Sequence, residues 1–449
     1  MMINISINLI YIAICSLPYF LVTGPFISDF LVSFIAILFL IISIKERIWI
    51  YYNNNYFKLF ILFYFIINLS ALFSENPLIS LKTSIPYIRF ALFSLAIIFI
   101  INNKKNFEIF FLKNLMIVIV VLLLDGVLQY FSGQSSLGWI KKLFNILILD
   151  NDYSLKMNYK VQSLFGNKGV YGSYLLRFSP LLIFLIIKTN LFKKFNLLYI
   201  IIFYSVIFIA ILFSGERSSL ILFLILIFFN IFFLKGYKLY KLLVVFFLSL
   251  FLIFFLIFNK ELNNRYVITT KYLIYSLNKE NNINEITKLE EENLVIKYYN
   301  SVSNYTGLFR TGLLMFEDSP FLGKGPRAFK YLSADERFSP HDINGKKIVY
   351  YNSHPHNYYI QLLAEVGLFG FLYFLFLLFA FLYFLFFYPR RKKFLYKDYQ
   401  IIIFSSFLIV LWPFITTGNL FNNWLSIFNF FLIGFFLGNL YNNNLFRIK

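Results

Sequence analysis

The sequence predicts an all-α polytopic membrane protein of about twelve transmembrane helices, with one large outward loop between the ninth and tenth. Three observations predict it. Apolar runs of roughly 20 residues, enough to cross ~30 Å of hydrocarbon as helix, recur along the whole chain. Hydrophobic residues make up 60% of the sequence and charged residues only 14%, far from the balance of a soluble domain. Lys and Arg gather in alternate connections between the runs. The runs are continuous rather than alternating, which excludes a closed barrel.

In chain order the runs lie near 3–22, 26–44, 56–73, 84–101, 108–131, 168–187, 196–213, 217–234, 241–258, 358–388, 400–418 and 424–440. Pro18, Pro86, Pro180 and Pro413 fall inside them, so their ends are expected to shift by a few residues. The first run has no basic leader and no small-residue cleavage site, and apolar segments keep following it; it is expected to stay as a helix. The single cysteine, Cys15, lies within it, so no intramolecular disulfide can form. Three segments follow: 1–258 with nine helices, 259–357 as an outward loop carrying amphipathic helices, and 358–449 with the last three helices.

Orientation follows from the basic residues. One alternating set of connections holds Lys45, Arg47 and Lys58; Lys104, Lys105 and Lys113; Lys188, Lys193 and Lys194; Lys235, Lys238 and Lys241; Arg390 to Lys393 with Lys397; and Arg447 with Lys449. Only Glu46, Glu108 and Asp398 oppose them, so this face carries most of the formal net charge of +20. The positive-inside rule makes it cytoplasmic, both termini included. Because the cations are dispersed over short loops, they report topology and membrane lipid contact, not a nucleic-acid surface.

The long outward loop has an Asn-rich, charged middle, Asn281 to Asn293, that reads as a solvated helix or loop. Ser301 to Phe316 has helical apolar spacing and carries Arg310; Asp318-Ser319-Pro320 and Gly323-Lys324-Gly325-Pro326 then form a strong turn signal. A shorter outward loop, about 132–167, ends in Lys160-Val161-Gln162-Ser163-Leu164-Phe165-Gly166-Asn167, followed by Lys168.

All three histidines, His341, His354 and His356, lie at the end of the long loop, and Ser353-His354-Pro355-His356-Asn357 stands at the mouth of the tenth helix. Imidazole titrates near neutral pH, so proton chemistry is expected here. No cysteine or carboxylate pair completes a zinc ligand set, no nucleophile elbow is present, and phosphate-loop and dinucleotide fingerprints are absent. Arg217 follows the short outward turn Ser214 to Glu216 and opens a helix. A helix N-terminus with an arginine fork suits phosphate; the alternative is an interfacial arginine paired with Glu216. Arg310 likewise fits either a functional cation or the solvated face of an amphipathic helix. Asp29, Asp125 and Glu365 inside apolar runs would suit an ion-coupled transporter, yet they are scattered near helix ends.

His356-Asn357, nine residues, then Gly367-Leu368-Phe369-Gly370 resembles the signature of the bacterial O-antigen ligases. The resemblance extends to Arg217 after its short turn, to Arg310 ahead of the 318–326 turn, and to Ser163-Leu164-Phe165-Gly166-Asn167; it covers about the last two-thirds of the chain. It implies a metal-independent, inverting glycosyltransferase of the GT-C class, without cofactor, at the periplasmic face of the bacterial inner membrane. Such an enzyme moves a glycan from undecaprenyl diphosphate to a sugar of the lipid A core. On this implication His356 deprotonates or orients the acceptor hydroxyl, Arg217 and Arg310 hold the diphosphate, and Asn357, Lys160, Lys168 and His354 contact substrate. Lys160 stands where relatives have Arg, and Lys168 where they have Pro. The related O-antigen polymerases share this layout and remain the alternative, with a flippase or other transporter behind them.

Overall fold

The computed structural model describes residues 2–143, 160–166, 169–191, 196–234, 238–258, 263, 292–341, 347–392 and 396–441. Lys168 and most of the Asn-rich middle of the long loop lie outside the described residues.

The described chain is helical. Its helices are α1 (Met2–Thr23), α2 (Pro25–Lys45), α3 (Asn55–Leu72), α4 (Pro77–Ser84), α5 (Ile88–Asn103), α6 (Phe107–Ser132), α7 (Ser136–Leu143), α8 (Tyr171–Thr189), α9 (Asn196–Ser214), α10 (Arg217–Phe233), α11 (Lys238–Phe258), α12 (Glu292–Asp318), α13 (Phe329–Leu332), α14 (Tyr358–Leu382), α15 (Tyr388–Lys392), α16 (Asp398–Leu411) and α17 (Asn423–Tyr441). Among the described residues seven are long and apolar enough to cross a membrane, counting α4 with α5 and α14 with α15 as continuous spans; α9, α10, α11, α16 and α17 hold further apolar stretches at Tyr199–Ser214, Arg217–Phe233, Leu243–Phe254, Asp398–Leu411 and Asn423–Asn439. Each of the twelve apolar runs seen in the sequence coincides with one of these. Short polar caps set several starts. Asn54 accepts from the Phe57 N–H at 2.8 Å, and Gln400 accepts from the Lys397 N–H at 2.9 Å.

One helix departs from its apolar run. The run 400–418 stops as α16 at Leu411, because Pro413 cannot donate a helical hydrogen bond and forces Trp412 into an extended conformation (ψ 119°). Residues 412–422 therefore cross the end of the bundle as a strap.

Burial sorts the helices into layers. Every residue of α8 from Leu175 to Ile186 and most of α5 are buried, as a helix apolar on all sides requires. Both pack centrally, α5 against α17 and α2, and α8 against α16 and α9. Helices α1, α2, α3, α6, α10 and α14 bury one face and expose large apolar residues such as Phe30, Phe65, Leu124, Phe228 and Phe379 on the other, the face a lipid tail would cover. A second, small core of Leu308, Met315, Phe329, Leu332 and Phe338 joins α12 to the turns before α14.

That outer lobe is fastened to α14 at Gly367, whose backbone (φ 71°, ψ −162°) breaks the helix. The break leaves the carbonyls of Ala364 and Glu365 without helical partners. Lys324 N and Gly325 N bond them at 2.9 and 2.8 Å, and the Leu368 N–H bonds the Pro320 carbonyl at 2.7 Å. A Cβ on Gly367 would lie 2.4 Å from the Phe321 backbone. The Gly-x-x-Gly element is thus the seam along which the lobe docks. Glu75 seals its edge by pairing with Lys324 at 2.8 Å and Arg337 at 3.0 Å, and those cations hold its carboxyl below the usual range.

Candidate active site

One end of the bundle opens into a cavity of about 1670 Å3. Its walls come from the α1–α2 turn, the end of α6, residues 160–166, Gly169 and Val170, the first turns of α8 and α10, Arg327, Lys330, Ser353, His354, His356, and the strap. These are the connections the charge pattern assigns to the outward face; none of the basic connections contributes among the described residues. Its ionisable lining is one-sided. Among the described residues Lys160, Arg177, Arg327 and Lys330 face a single acid, Glu216, beside His354 and His356.

The histidines sit together because the chain is held on both sides. Asn357 caps α14, its Oδ1 accepting from Tyr359 N at 2.9 Å and Ile360 N at 3.2 Å, while its amide donates to the Pro413 carbonyl at 2.8 Å. The strap adds a bond from Thr417 N to the His356 carbonyl at 2.8 Å and one from Asn419 Nδ2 to the Ser353 carbonyl at 3.3 Å. Between these anchors His356 is held at φ 59°, in the left-handed region. Ser163 and Arg327, also left-handed, line the same cavity. Backbone strain of about 1–3 kcal/mol per residue therefore collects where the polar groups converge.

The His354 and His356 ring centroids are 4.1 Å apart, and the Tyr305 ring of α12 meets His356 edge-on at 5.2 Å. Asn352 accepts from Ser353 N through its Oδ1, which turns its Nδ2 toward His356 Nε2 at 3.1 Å. That geometry assigns the His356 proton to Nδ1 and leaves Nε2 as an acceptor. Burial pulls His356 below the ordinary imidazole value. It pulls His354 further, to about 4, with a smaller contribution from the neighbouring His356. Both rings are neutral at pH 7, the state a base requires.

Glu216 and Arg177 complete the deep wall. Glu216 sets its carboxylate on the first turn of α8, accepting from Gly172 N at 2.7 Å, Ser173 N at 2.9 Å and Ser219 Oγ at 2.8 Å. A Cβ at Gly172 would meet the Ser214 hydroxyl at 2.5 Å and push it aside. Burial nevertheless pushes the Glu216 carboxyl up to about 7.

The structure brings Lys160, His354 and His356 to the cavity, with Asn357 immediately behind as a buried cap. Arg217 begins α10 between Glu216 and Ser218, which both line the cavity, though it is not itself a lining residue. Arg310 is exposed on α12, five residues beyond Tyr305. Lys168 lies outside the described residues. Three lining cations, Arg177, Arg327 and Lys330, have no place in the sequence reading. Arg177 is a charged residue within an apolar run, a signal that was available; Arg327 follows Gly325-Pro326 and reads only as a turn.

The acids inside the apolar runs have structural partners. Asp29 pairs with Arg89 at 2.7 Å, and Asp125 accepts from Ser136 N and Ser163 Oγ. Glu365 accepts from Gln361 Nε2 at 2.8 Å and Phe329 N at 3.1 Å. Among the described residues no three His, Cys, Asp or Glu side chains converge.

The family model for O-antigen ligase matches residues 200–375, from within α9 to within α14. The match takes in Arg217, Arg310, the histidine pair and the Gly367 seam, and stops short of Lys160 and Arg177 on the N-terminal side. No curated protein matches the chain.

Proposed function

We propose, from the O-antigen ligase domain at residues 200–375, that this membrane protein transfers a glycan from undecaprenyl diphosphate to the lipid A core at the periplasmic face of the bacterial inner membrane. The domain supports O-antigen ligase or polymerase type chemistry in general; the donor, acceptor and side are our inference. One observation carries it. A neutral histidine pair and four cationic side chains face one cavity at a single end of an apolar bundle, where a lipid-borne anion and a sugar hydroxyl can meet.

In the proposed step the acceptor hydroxyl oxygen attacks the anomeric carbon from the face opposite the diphosphate. The bond from carbon to phosphate oxygen breaks with inversion, and the hydroxyl proton passes to His356 Nε2 after the substrate displaces the Asn352 amide. Undecaprenyl diphosphate leaves as an anion, and fixed positive charge lowers the energy of that developing charge. Arg217, at the N-terminus of α10, and Arg310 are the proposed diphosphate contacts; the cavity cations extend that field. No metal is assigned to this step. Asn357 acts by fixing the His356 backbone.

Gene deletion tests the reading. A ligase deletion leaves polymerised glycan on the lipid carrier and unmodified lipid A core. Lipid A core bearing a single repeat unit would make the protein the polymerase instead, and loss of lipid-linked donor from the outer face would make it a transporter.

A further inference from the structure

Arg177 belongs to α8, in the most deeply buried part of the bundle, and is only 5% exposed. Its Nε donates weakly to Ser173 Oγ at 3.4 Å, and its Nη1 has no hydrogen-bond partner among the described residues. The acid that could neutralise it is already committed, since both oxygens of Glu216 receive bonds from the first turn of α8 and from Ser219. The Tyr358 hydroxyl lies close enough to feel its charge but forms no well-made hydrogen bond with it.

A buried guanidinium with an unused donor is costly unless something pairs with it. Here Arg177 lines the cavity with that donor buried just behind its surface, and it is not alone. His354 Nε2 and Thr417 Oγ1, which line the same cavity, are likewise buried without partners among the described residues. Three buried, unsatisfied hydrogen-bonding atoms on three separate segments that line one cavity point to a polar ligand rather than to a packing fault.

We infer that Arg177 binds the diphosphate of the lipid-linked donor, reaching it from inside the bundle while the polyprenyl chain runs out along the apolar wall. The inference rests on the transfer proposed above. Its chemistry is that of a forked, permanently charged donor meeting a doubly ionised phosphoanhydride. Glu216, the single acid lining the cavity among the described residues, then opposes the ligand's charge when ionised.

The test uses the full chain in nanodiscs of neutral lipid at pH 8, with farnesyl diphosphate, farnesyl monophosphate and inorganic diphosphate as calorimetric probes. Wild type is expected to prefer farnesyl diphosphate. Arg177→Gln is expected to weaken that binding about tenfold or more, while thermal stability holds or rises because an unpaired buried charge is gone. Wild-type affinity in Arg177→Gln overturns the inference and leaves the transfer reading standing. Preference for inorganic diphosphate over its farnesyl ester overturns the assignment to a lipid donor. If Arg177→Gln does not accumulate, Arg177→Lys decides: weaker farnesyl diphosphate binding, with the fork lost and the charge kept, supports the inference, and wild-type affinity overturns it.

Discussion

The imidazole of His354 stands 4.1 Å, centroid to centroid, from that of His356, so a proton on one ring raises the cost of a proton on the other. Because both are also removed from water, the pair stays neutral under conditions that would partly charge an exposed histidine.

The pH dependence follows with a definite sign. The folded values lie below the unfolded one, near 6.5, so the unfolded chain binds more protons between the two. Stability and activity contributed by the neutral pair are fully present above that pH and are lost as pH falls toward the folded values. With Glu216, whose carboxyl is pushed up to about 7, replaced by Gln, a profile of kcat/KM against pH should be flat through 6.5 and fall only below it. An acid limb at or above 6.5 would refute the neutral-pair assignment.

Replacing His356 by Ala is expected to reduce glycan transfer by about 10²- to 10⁴-fold, the usual contribution of a positioned base. Membrane levels of the protein should stay normal. Transfer in isolated membranes, normalised to protein, reads this directly; a near wild-type rate removes His356 from the mechanism.

Gly367→Ala should destabilise far more than Gly133→Ala. Both glycines have positive φ, where alanine costs roughly 1–2 kcal/mol. At 133 nothing lies within 4 Å of the added carbon, whereas at 367 it would strike the Phe321 backbone at 2.4 Å. Thermal unfolding in detergent should show a small shift for the first and loss of the docked lobe for the second. Equal shifts would mean that the seam is not where the lobe is fastened.

Transfer is expected to persist in EDTA without added divalent ions, since the proposed step relies on side-chain cations alone. A strict requirement for added metal in a purified assay would replace this step with one routed through an ion.

Asn357→Ala removes a helix cap worth about 1 kcal/mol and the tether to Pro413. Its expected signature is a lowered rate of transfer with little change in donor affinity, because the residue positions His356. A large fall in donor affinity at an unchanged maximal rate would instead make Asn357 a substrate contact.

The helices were legible in the sequence because spanning a membrane demands long uninterrupted apolar runs, whatever they pack against. The turn at 318–326 was equally legible, since its prolines and glycines act locally. The end of α16 was not placed at Leu411 by hydropathy, because Pro413 sits in a run that stays apolar to either side. Arg217 and Arg310 show the other limit: the sequence gives their charge and their helices, and the fold puts neither among the residues lining the cavity.

The sequence by itself determined that this is a membrane bundle, which connections share a face, and that the histidines stand at the mouth of α14, since each is a matter of local composition and order. Only the tertiary structure decided that Arg177, Glu216, Arg327 and the His354–His356 pair surround one cavity. The physical reason is that burial and pairing are properties of space. Glu216 meets α8 from more than forty residues away, and the strap reaches the histidine loop from beyond α14, α15 and α16.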